Sequence, residues 1–263
     1  MKTPEKAVLF ASLDKLIHHR ESCDRFYFGQ EFCQRLFPTA EAVRKAVAHA
    51  RECNVNFTLV TPFATNAGVI RVQAAVEAAA GAPGLEVVVN DWGVLRLIHR
   101  EYPTVPLALG RLLTKQKRGP QLLTIEDKLP ETALDHFRRS NADVPHVREF
   151  LQAQGVVRLE LDNLLQGMAR AQGLPASLYH PYGYITATRL CLLAEGAKPG
   201  KNLRSIGRCS RECALYEVTL THGDMPVPIH LRGNAQFYRK DSLPNDLDAL
   251  NVTRLVYEPQ IPI

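Results

Sequence analysis

Short apolar runs alternate with amphipathic segments along most of the chain. Eight runs rich in Val, Leu, Ile, Phe or Tyr have the length of buried parallel strands, and they cover 7–11, 25–29, 56–61, 85–90, 105–110, 156–161, 177–182 and 252–257. Between them, 39–53, 69–80 and 144–154 carry apolar residues at helical spacing. This alternation predicts crossover connections and a parallel sheet. Eight strands favour a closed, TIM-barrel-like (β/α)8 α/β domain over an open sheet.

Two stretches interrupt this alternation. The first, 111–142, contains the basic residues Lys115, Lys117 and Arg118, and we interpret it as an insertion on a strand-to-helix loop. The second, 191–240, contains a Gly/Lys/Pro loop and two close cysteines, and then two short apolar runs around His222-Gly223-Asp224 that predict a hairpin. We therefore expect one barrel domain over 1–263, with an insertion and an irregular cysteine-bearing segment before the last strand.

Composition and charge narrow the classes of protein. The chain has 263 residues, 46% hydrophobic and 22% charged, which is enough for a packed core and excludes intrinsic disorder. Because no apolar run is long enough to span a membrane and the N-terminus lacks a signal-peptide pattern, we expect a cytoplasmic protein. The net charge of +5 suits an anionic ligand but falls short of an obligate nucleic-acid binder.

The six cysteines carry the strongest chemical signal. Without an export signal they are not expected to form structural disulfides, which leaves core thiols, catalytic thiols or metal ligands. Three residues separate Cys209 from Cys213, and seventeen separate Cys191 from Cys209. Thiolates suit zinc and iron-sulfur clusters, but the chain has no CxxC pair. The spacing therefore supports a metal site and buried structural thiols about equally.

Three segments resemble motifs of the U32 peptidase family. The segment 23–33 (CDRFYFGQEFC) is similar to that family's second strand and following loop, and 88–95 (VVNDWGVL) is similar to its motif after the fourth strand. The segment 179–191 (YHPYGYITATRLC), with the later pair Cys209 and Cys213, resembles its cysteine-bearing region. The resemblance covers most of the chain. It is strongest to the ubiquinone-biosynthesis branch, the UbiU and UbiV proteins, and to UbiV above all.

This resemblance implies a 4Fe-4S cluster on a TIM-barrel-like scaffold, with Cys33, Cys191, Cys209 and Cys213 as its ligands. It also implies a heterodimer with a second U32 subunit, and hydroxylation of a quinone precursor without molecular oxygen. The predicted strand order agrees, because Cys33 follows the second strand and Cys191 the seventh, at the carboxyl-end mouth where barrels place their sites.

The two other cysteines are expected elsewhere. Cys23 precedes a strand and Cys53 ends a helix, so both belong on the opposite side of the connection pattern. We interpret them as ordinary thiols.

Five further residues are candidates for a substrate pocket. Asn90 and Asp91 either hydrogen-bond a ligand or, for Asp91, cap the next helix. Arg111, together with Lys115, either contacts an anionic ligand or solvates a loop, and we favour the loop. Tyr182 either walls a cavity or packs in the core, which is the default for an aromatic residue. Arg189 either offsets the negative charge of thiolate-ligated iron, which we favour, or forms a surface ion pair.

Two alternative functions stay open. The basic residues from Lys115 to Arg118 motivate an RNA hydroxylation factor of the same family, and cysteines alone are compatible with a zinc-binding, non-catalytic scaffold. Peptidase activity is not expected, because the chain carries neither a GxSxG nor an HExxH motif.

Overall fold

The computed structural model describes residues 3–196 and 209–263. It contains an eight-stranded parallel barrel and a four-stranded antiparallel sheet. In chain order the strands are β1 (Glu5–Phe10), β2 (Arg25–Gly29), β3 (Asn56–Val60), β4 (Glu86–Val89), β5 (Leu107–Leu109), β6 (Val156–Asp162), β7 (Ala176–His180), β8 (Tyr182–Ala187), β9 (Val218–Leu220), β10 (Ile229–Arg232), β11 (Ala235–Arg239) and β12 (Val252–Tyr257).

The barrel confirms the predicted fold class. Its hydrogen-bonded order is β1-β12-β7-β6-β5-β4-β3-β2, and β1 closes the ring by pairing in parallel with both β2 and β12. Each of its strands overlaps one of the eight apolar runs in the sequence. The carboxyl ends of all eight strands therefore face one mouth, where loops can bring together residues that are distant in sequence.

Helices follow each of the first five strands, and one more follows β8. They are α1 (Leu13–Ile17), α2 (Ala40–Glu52), α3 (Asn66–Ala78), α4 (Trp92–Glu101), α5 (Glu131–Phe137), α6 (Pro145–Ala153) and, after β8, α7 (Leu192–Gly196), with 3-10 turns at Pro120–Thr124, Glu126–Lys128, Asn141–Asp143 and Glu212–Ala214. Helix α3 begins earlier than predicted because the Thr65 hydroxyl accepts a hydrogen bond from the Gly68 N–H and caps it. The connection from β6 to β7, all of it described, contains no helix.

The antiparallel sheet has the order β8-β11-β10-β9 and stands between β7 and β12 in the chain. The predicted hairpin is its outer pair, β9 and β10. Strands β8 and β11 were not predicted. Only Pro181 separates β8 from the barrel strand β7. The apolar run at 177–182 therefore includes the end of β7 and the start of β8, and it shows no boundary between the two sheets.

Side chains fill the barrel interior. One cluster of eight buried residues comes from seven of the eight barrel strands: Ala7, Leu9, Tyr27, Val60, Val88, Ala108, Tyr179 and Val256. Near the amino ends of the strands, Arg254 is 1% exposed and donates to Glu5 Oε2 at 2.6 Å. It also donates one hydrogen bond to each carboxylate oxygen of Glu86. The barrel is therefore a packed core, and a ligand site has to lie at its mouth.

Glu160 is a fully buried carboxyl group of this interior, and its Oε1 accepts hydrogen bonds from Tyr27 and Ser177. Burial raises its pKa above the ordinary value of 4.5, and this outweighs the opposing effect of Arg254. A carboxyl group with a raised pKa holds its proton in the folded state after the unfolded chain has released it. The folded protein therefore loses stability as the pH rises above 4.5 towards the folded-state pKa.

Glu160→Gln is expected to remove this loss. The free energy of unfolding of the variant, relative to the native chain, should increase with pH by up to about 1.4 kcal/mol per pH unit. Urea unfolding between about pH 5 and about pH 8 measures the difference. Glu21→Gln, at an exposed site, is the matched control. A difference that does not change with pH for Glu160→Gln would mean that this carboxyl group is ionised in the folded protein.

No helix in the described ranges is both long and apolar enough to cross a lipid bilayer.

Candidate functional site

Four cysteines from three separate segments line one cavity of about 130 Å³ at the barrel mouth. Cys33 lies in the loop after β2 and Cys191 directly before α7. Cys209 and Cys213 come from the segment before β9, where Cys213 lies in the 3-10 turn Glu212–Ala214. These are the four cysteines selected by the family resemblance, and the structure brings them together.

Two of the four sulfur atoms, those of Cys191 and Cys209, accept hydrogen bonds from backbone N–H groups. The N–H groups of Leu193 and Ala194 donate to Cys191, and the Arg211 N–H donates to Cys209 Sγ at 3.4 Å. Such donors stabilise a sulfur atom that carries negative charge. They are the surroundings expected around thiolate ligands.

The cavity makes two of its thiols, Cys191 and Cys213, harder to ionise than a free cysteine. Burial raises the pKa of Cys191 and of Cys213, and the other thiols of the cavity raise both pKa values further. Near Cys213, the Arg232 guanidinium opposes this shift. A positive centre in the cavity, such as a bound metal ion, would stabilise the thiolate forms of Cys191 and Cys213.

Asn234 ties the cysteine-bearing segments together. Its amide nitrogen donates to the carbonyls of Phe32, next to Cys33, and Thr188, three residues before Cys191, both at 2.6 Å. The preceding Gly233 has φ +59, and its carbonyl accepts a hydrogen bond from the Leu193 N–H at the start of α7. A Cβ at position 233 would lie 3.1 Å from Ile263 and 3.4 Å from Cys213 Cβ, so glycine keeps both the backbone turn and the cavity wall.

The described residues around the cavity do not form a site for a single metal ion. Around one zinc ion, thiolates at about 2.3 Å would crowd their sulfurs together. Within the part of the chain that the structure describes, no three His, Cys, Asp or Glu side chains are grouped closely enough to hold an ion. A cavity of about 130 Å³ is close to the roughly 150 Å³ that holds benzene in an engineered protein, so it has room for a compact inorganic group.

A buried ionic network underlies the cavity. Arg111 is fully buried and contacts three carboxylates: Glu31, Asp162 at 3.1 Å and Glu258 at 2.7 Å. Its guanidinium also lies 3.9 Å from the centre of the Tyr179 ring. The expectation that Arg111 solvates a loop is therefore wrong. Arg111 does not line the cavity either. Its charge is paired with the three buried carboxyl groups.

Burial favours the protonated form of one acid of this network, Glu258. Burial raises the pKa of Glu258 well above its usual range, although Arg111 favours the ionised form. Arg118 is also buried and pairs with Asp162, so two guanidinium groups share these carboxyl groups. Sequence reasoning missed all three acids. The signal was their position: Asp162 is the last residue of β6, and Glu31 and Glu258 come shortly after the ends of β2 and β12, where barrel loops converge.

The structure separates the remaining pocket candidates. Asp91 caps α4, since its Oδ1 accepts from the Gly93 and Val94 N–H groups. Asn90 is 1% exposed, and its amide connects the segments that follow β3 and β5. The amide nitrogen donates to the Thr61 carbonyl, and the amide oxygen accepts from the Leu112 N–H. Both residues nevertheless line a groove next to the cavity.

Arg189 and Tyr182 occupy different surroundings. Arg189 is exposed, lines both the cavity and the neighbouring groove, and lies over the Phe63 ring at 5.8 Å. Tyr182 is half-buried against the apolar residues beneath the small sheet, and its carbonyl accepts a hydrogen bond from Arg111. Tyr182 therefore packs in the core and is absent from the cavity lining.

The basic insertion is less basic at its surface than the sequence indicates. Lys115 and Lys117 are exposed, but Arg118 is 8% exposed and its charge is paired with Asp162. The three cations therefore do not form one patch, which weakens the argument for RNA binding.

Cys23 and Cys53 lie apart from this site. Cys23 packs against the main core between barrel and helices, where burial raises its pKa to about 11. Cys53 is exposed at the C-terminal end of α2, with its Sγ 3.5 Å from His49 Nε2. Neither lines the cavity.

Comparison with solved structures gives a likeness of fold. The U32 peptidase Mk0906 superposes with a TM-score of 0.50 at 11% identity, over 99% of this chain and 94% of that one. The immunomodulatory active chitinase TsES1 from Trichuris suis gives a TM-score of 0.40 at 10% identity, over 97% of this chain and 91% of its own. No family sequence model and no curated protein sequence matches the chain. The barrel is thus similar in fold to a U32 peptidase over nearly its whole length.

Proposed function

We propose that this chain is a cytoplasmic U32-family protein that holds a 4Fe-4S cluster through Cys33, Cys191, Cys209 and Cys213. We further propose that it takes part, with a second U32 subunit, in the oxygen-independent hydroxylation of a quinone precursor in ubiquinone biosynthesis. The observation that carries the proposal is the convergence of four cysteines on one cavity, while Cys23 and Cys53 lie elsewhere. The similarity in fold to a U32 peptidase supports it.

The residues around the cavity suit a cluster that exchanges electrons. A bound cluster would supply one-electron transfer, at a potential set by burial and by hydrogen bonds to sulfur. The chain provides both features, because Cys213 is 8% exposed and N–H groups donate to Cys191 and Cys209. Arg189, on the cavity wall, would offset part of the cluster's negative charge.

Peptide hydrolysis has less support. The name of the structural neighbour describes that protein, whereas hydrolysis by a cysteine needs a general base next to the thiol. Among the described residues that line this cavity there is no histidine, aspartate or glutamate. The cavity therefore offers thiols without the partner that would make one of them a nucleophile.

Hydroxylation in cells tests the proposal. In a host that needs this chain to make quinone without oxygen, Cys33→Ser should abolish the hydroxylated product, because one cluster ligand is lost. Cys53→Ser is the matched control and should restore product to the native level. Quinone extracted from cells grown without oxygen is measured by mass spectrometry. Full complementation by Cys33→Ser would exclude a role for the cluster in the reaction.

A further inference from the structure

An open groove of about 350 Å³ lies beside the thiol cavity. The groove and the cavity share two wall residues, Phe63 and Arg189. Trp92, at the start of α4, and Tyr184, in β8, also line the groove. A molecule in the groove would therefore lie next to the four cysteines.

The groove presents aromatic surface. Trp92, the one tryptophan of the chain, is 44% exposed, and Phe63 and Tyr184 are half-buried. Aromatic side chains that remain accessible in a concave site favour planar ligands, which bury apolar area against ring faces and edges. The walls of this groove therefore suit a ring.

Two cations also line the groove. Lys115 is exposed and has φ +49, a left-handed conformation that is uncommon for lysine and is enriched at functional sites. Arg189 is the second. Among the lining residues that the structure describes, the one acidic side chain is Asp91, and N–H groups of Ala64, Gly93 and Val94 donate to its carboxylate. The groove therefore has a positive balance of charge.

We propose that this groove binds a planar aromatic ligand that carries an anionic group. The ring packs against Trp92 and Tyr184, and the anion is held by Lys115 and Arg189. Because Arg189 borders both sites, the ligand is placed beside the thiol cavity. That this ligand is the substrate rests on the proposed function. Binding of the ligand in the groove, by contrast, needs no cluster. The ligand is either an aromatic carboxylate or a nucleotide, which share this chemistry.

Trp92 fluorescence tests the proposal directly. Benzoate and uridine monophosphate represent the two sources of ligand, benzyl alcohol is the uncharged analogue of benzoate, and acetate is an anion without a ring. Benzoate or uridine monophosphate should change the emission saturably, and the tighter of the two identifies the source. Lys115→Gln and Arg189→Gln should each weaken that binding about tenfold, since each removes a charge-assisted hydrogen bond. Lys117→Gln, at an exposed lysine outside the groove, should leave the affinity unchanged.

Three results would overturn the proposal: no saturable change with either aromatic anion, equal affinity for benzyl alcohol and benzoate, or native affinity in both groove variants. Titration of Cys33→Ser separates this proposal from the cluster. Native affinity in that variant supports the groove independently of the cluster. Absence of binding in protein that contains iron overturns the groove and leaves the cluster proposal intact.

Discussion

Replacing Arg111 by methionine is expected to lower the free energy of unfolding by about 3–5 kcal/mol, the cost of leaving buried charge unpaired. Arg111 is fully buried and contacts Glu31, Asp162 and Glu258, three acids from different strand ends. Methionine fills a similar volume but leaves the carboxylates facing one another. The loss should therefore far exceed that of an ordinary surface substitution.

Urea unfolding measures this loss, with Arg100→Met as the matched control. Arg100 forms an exposed ion pair with Glu101, so its replacement should change the free energy of unfolding by less than about 1 kcal/mol. A change of similar size in both variants would show that the Arg111 network contributes little to stability. The network would then be a candidate for a role in the site alone.

The six cysteine-to-serine variants are expected to fall into two groups by their iron content. Serine in place of Cys33, Cys191, Cys209 or Cys213 should each remove most of the iron from protein purified without oxygen, because a cubane needs one thiolate for each iron. Cys23→Ser and Cys53→Ser should keep the native iron content, since neither residue lines the cavity.

Iron analysis and visible absorbance of the six variants measure this division. Circular dichroism of each variant serves as the folding control. The ligand assignment would be contradicted if any of the four cavity variants kept full iron, or if Cys23→Ser or Cys53→Ser lost it while folded.

Local sequence patterns predicted the barrel because each strand is a short apolar run, which can be recognised from a few consecutive residues. The order of these strands also placed Cys33 and Cys191 at the mouth, since parallel strands end on the same side. The family resemblance supplied the other two cysteines. The positions of Cys23 before a strand and of Cys53 at the end of a helix set these two apart.

The ionic network depends on closure of the barrel and was not predictable in this way. Glu31 and Glu258 are 227 residues apart in the chain and meet at Arg111 because β1 pairs with both β2 and β12. Arg118 resembled a surface cation in the sequence, although it is buried against Asp162 at the end of the neighbouring strand β6. Asn234, which joins the segments of Cys33 and Cys191, carries no local motif.

The content of iron and acid-labile sulfide in the native chain, purified without oxygen, tests the central claim most directly. We predict about four iron and four sulfide per chain, the composition of one 4Fe-4S cluster, with an electron paramagnetic resonance signal that appears on reduction. One zinc per chain, with neither iron nor sulfide after anaerobic reconstitution, would contradict the account and identify the four cysteines as a structural zinc site.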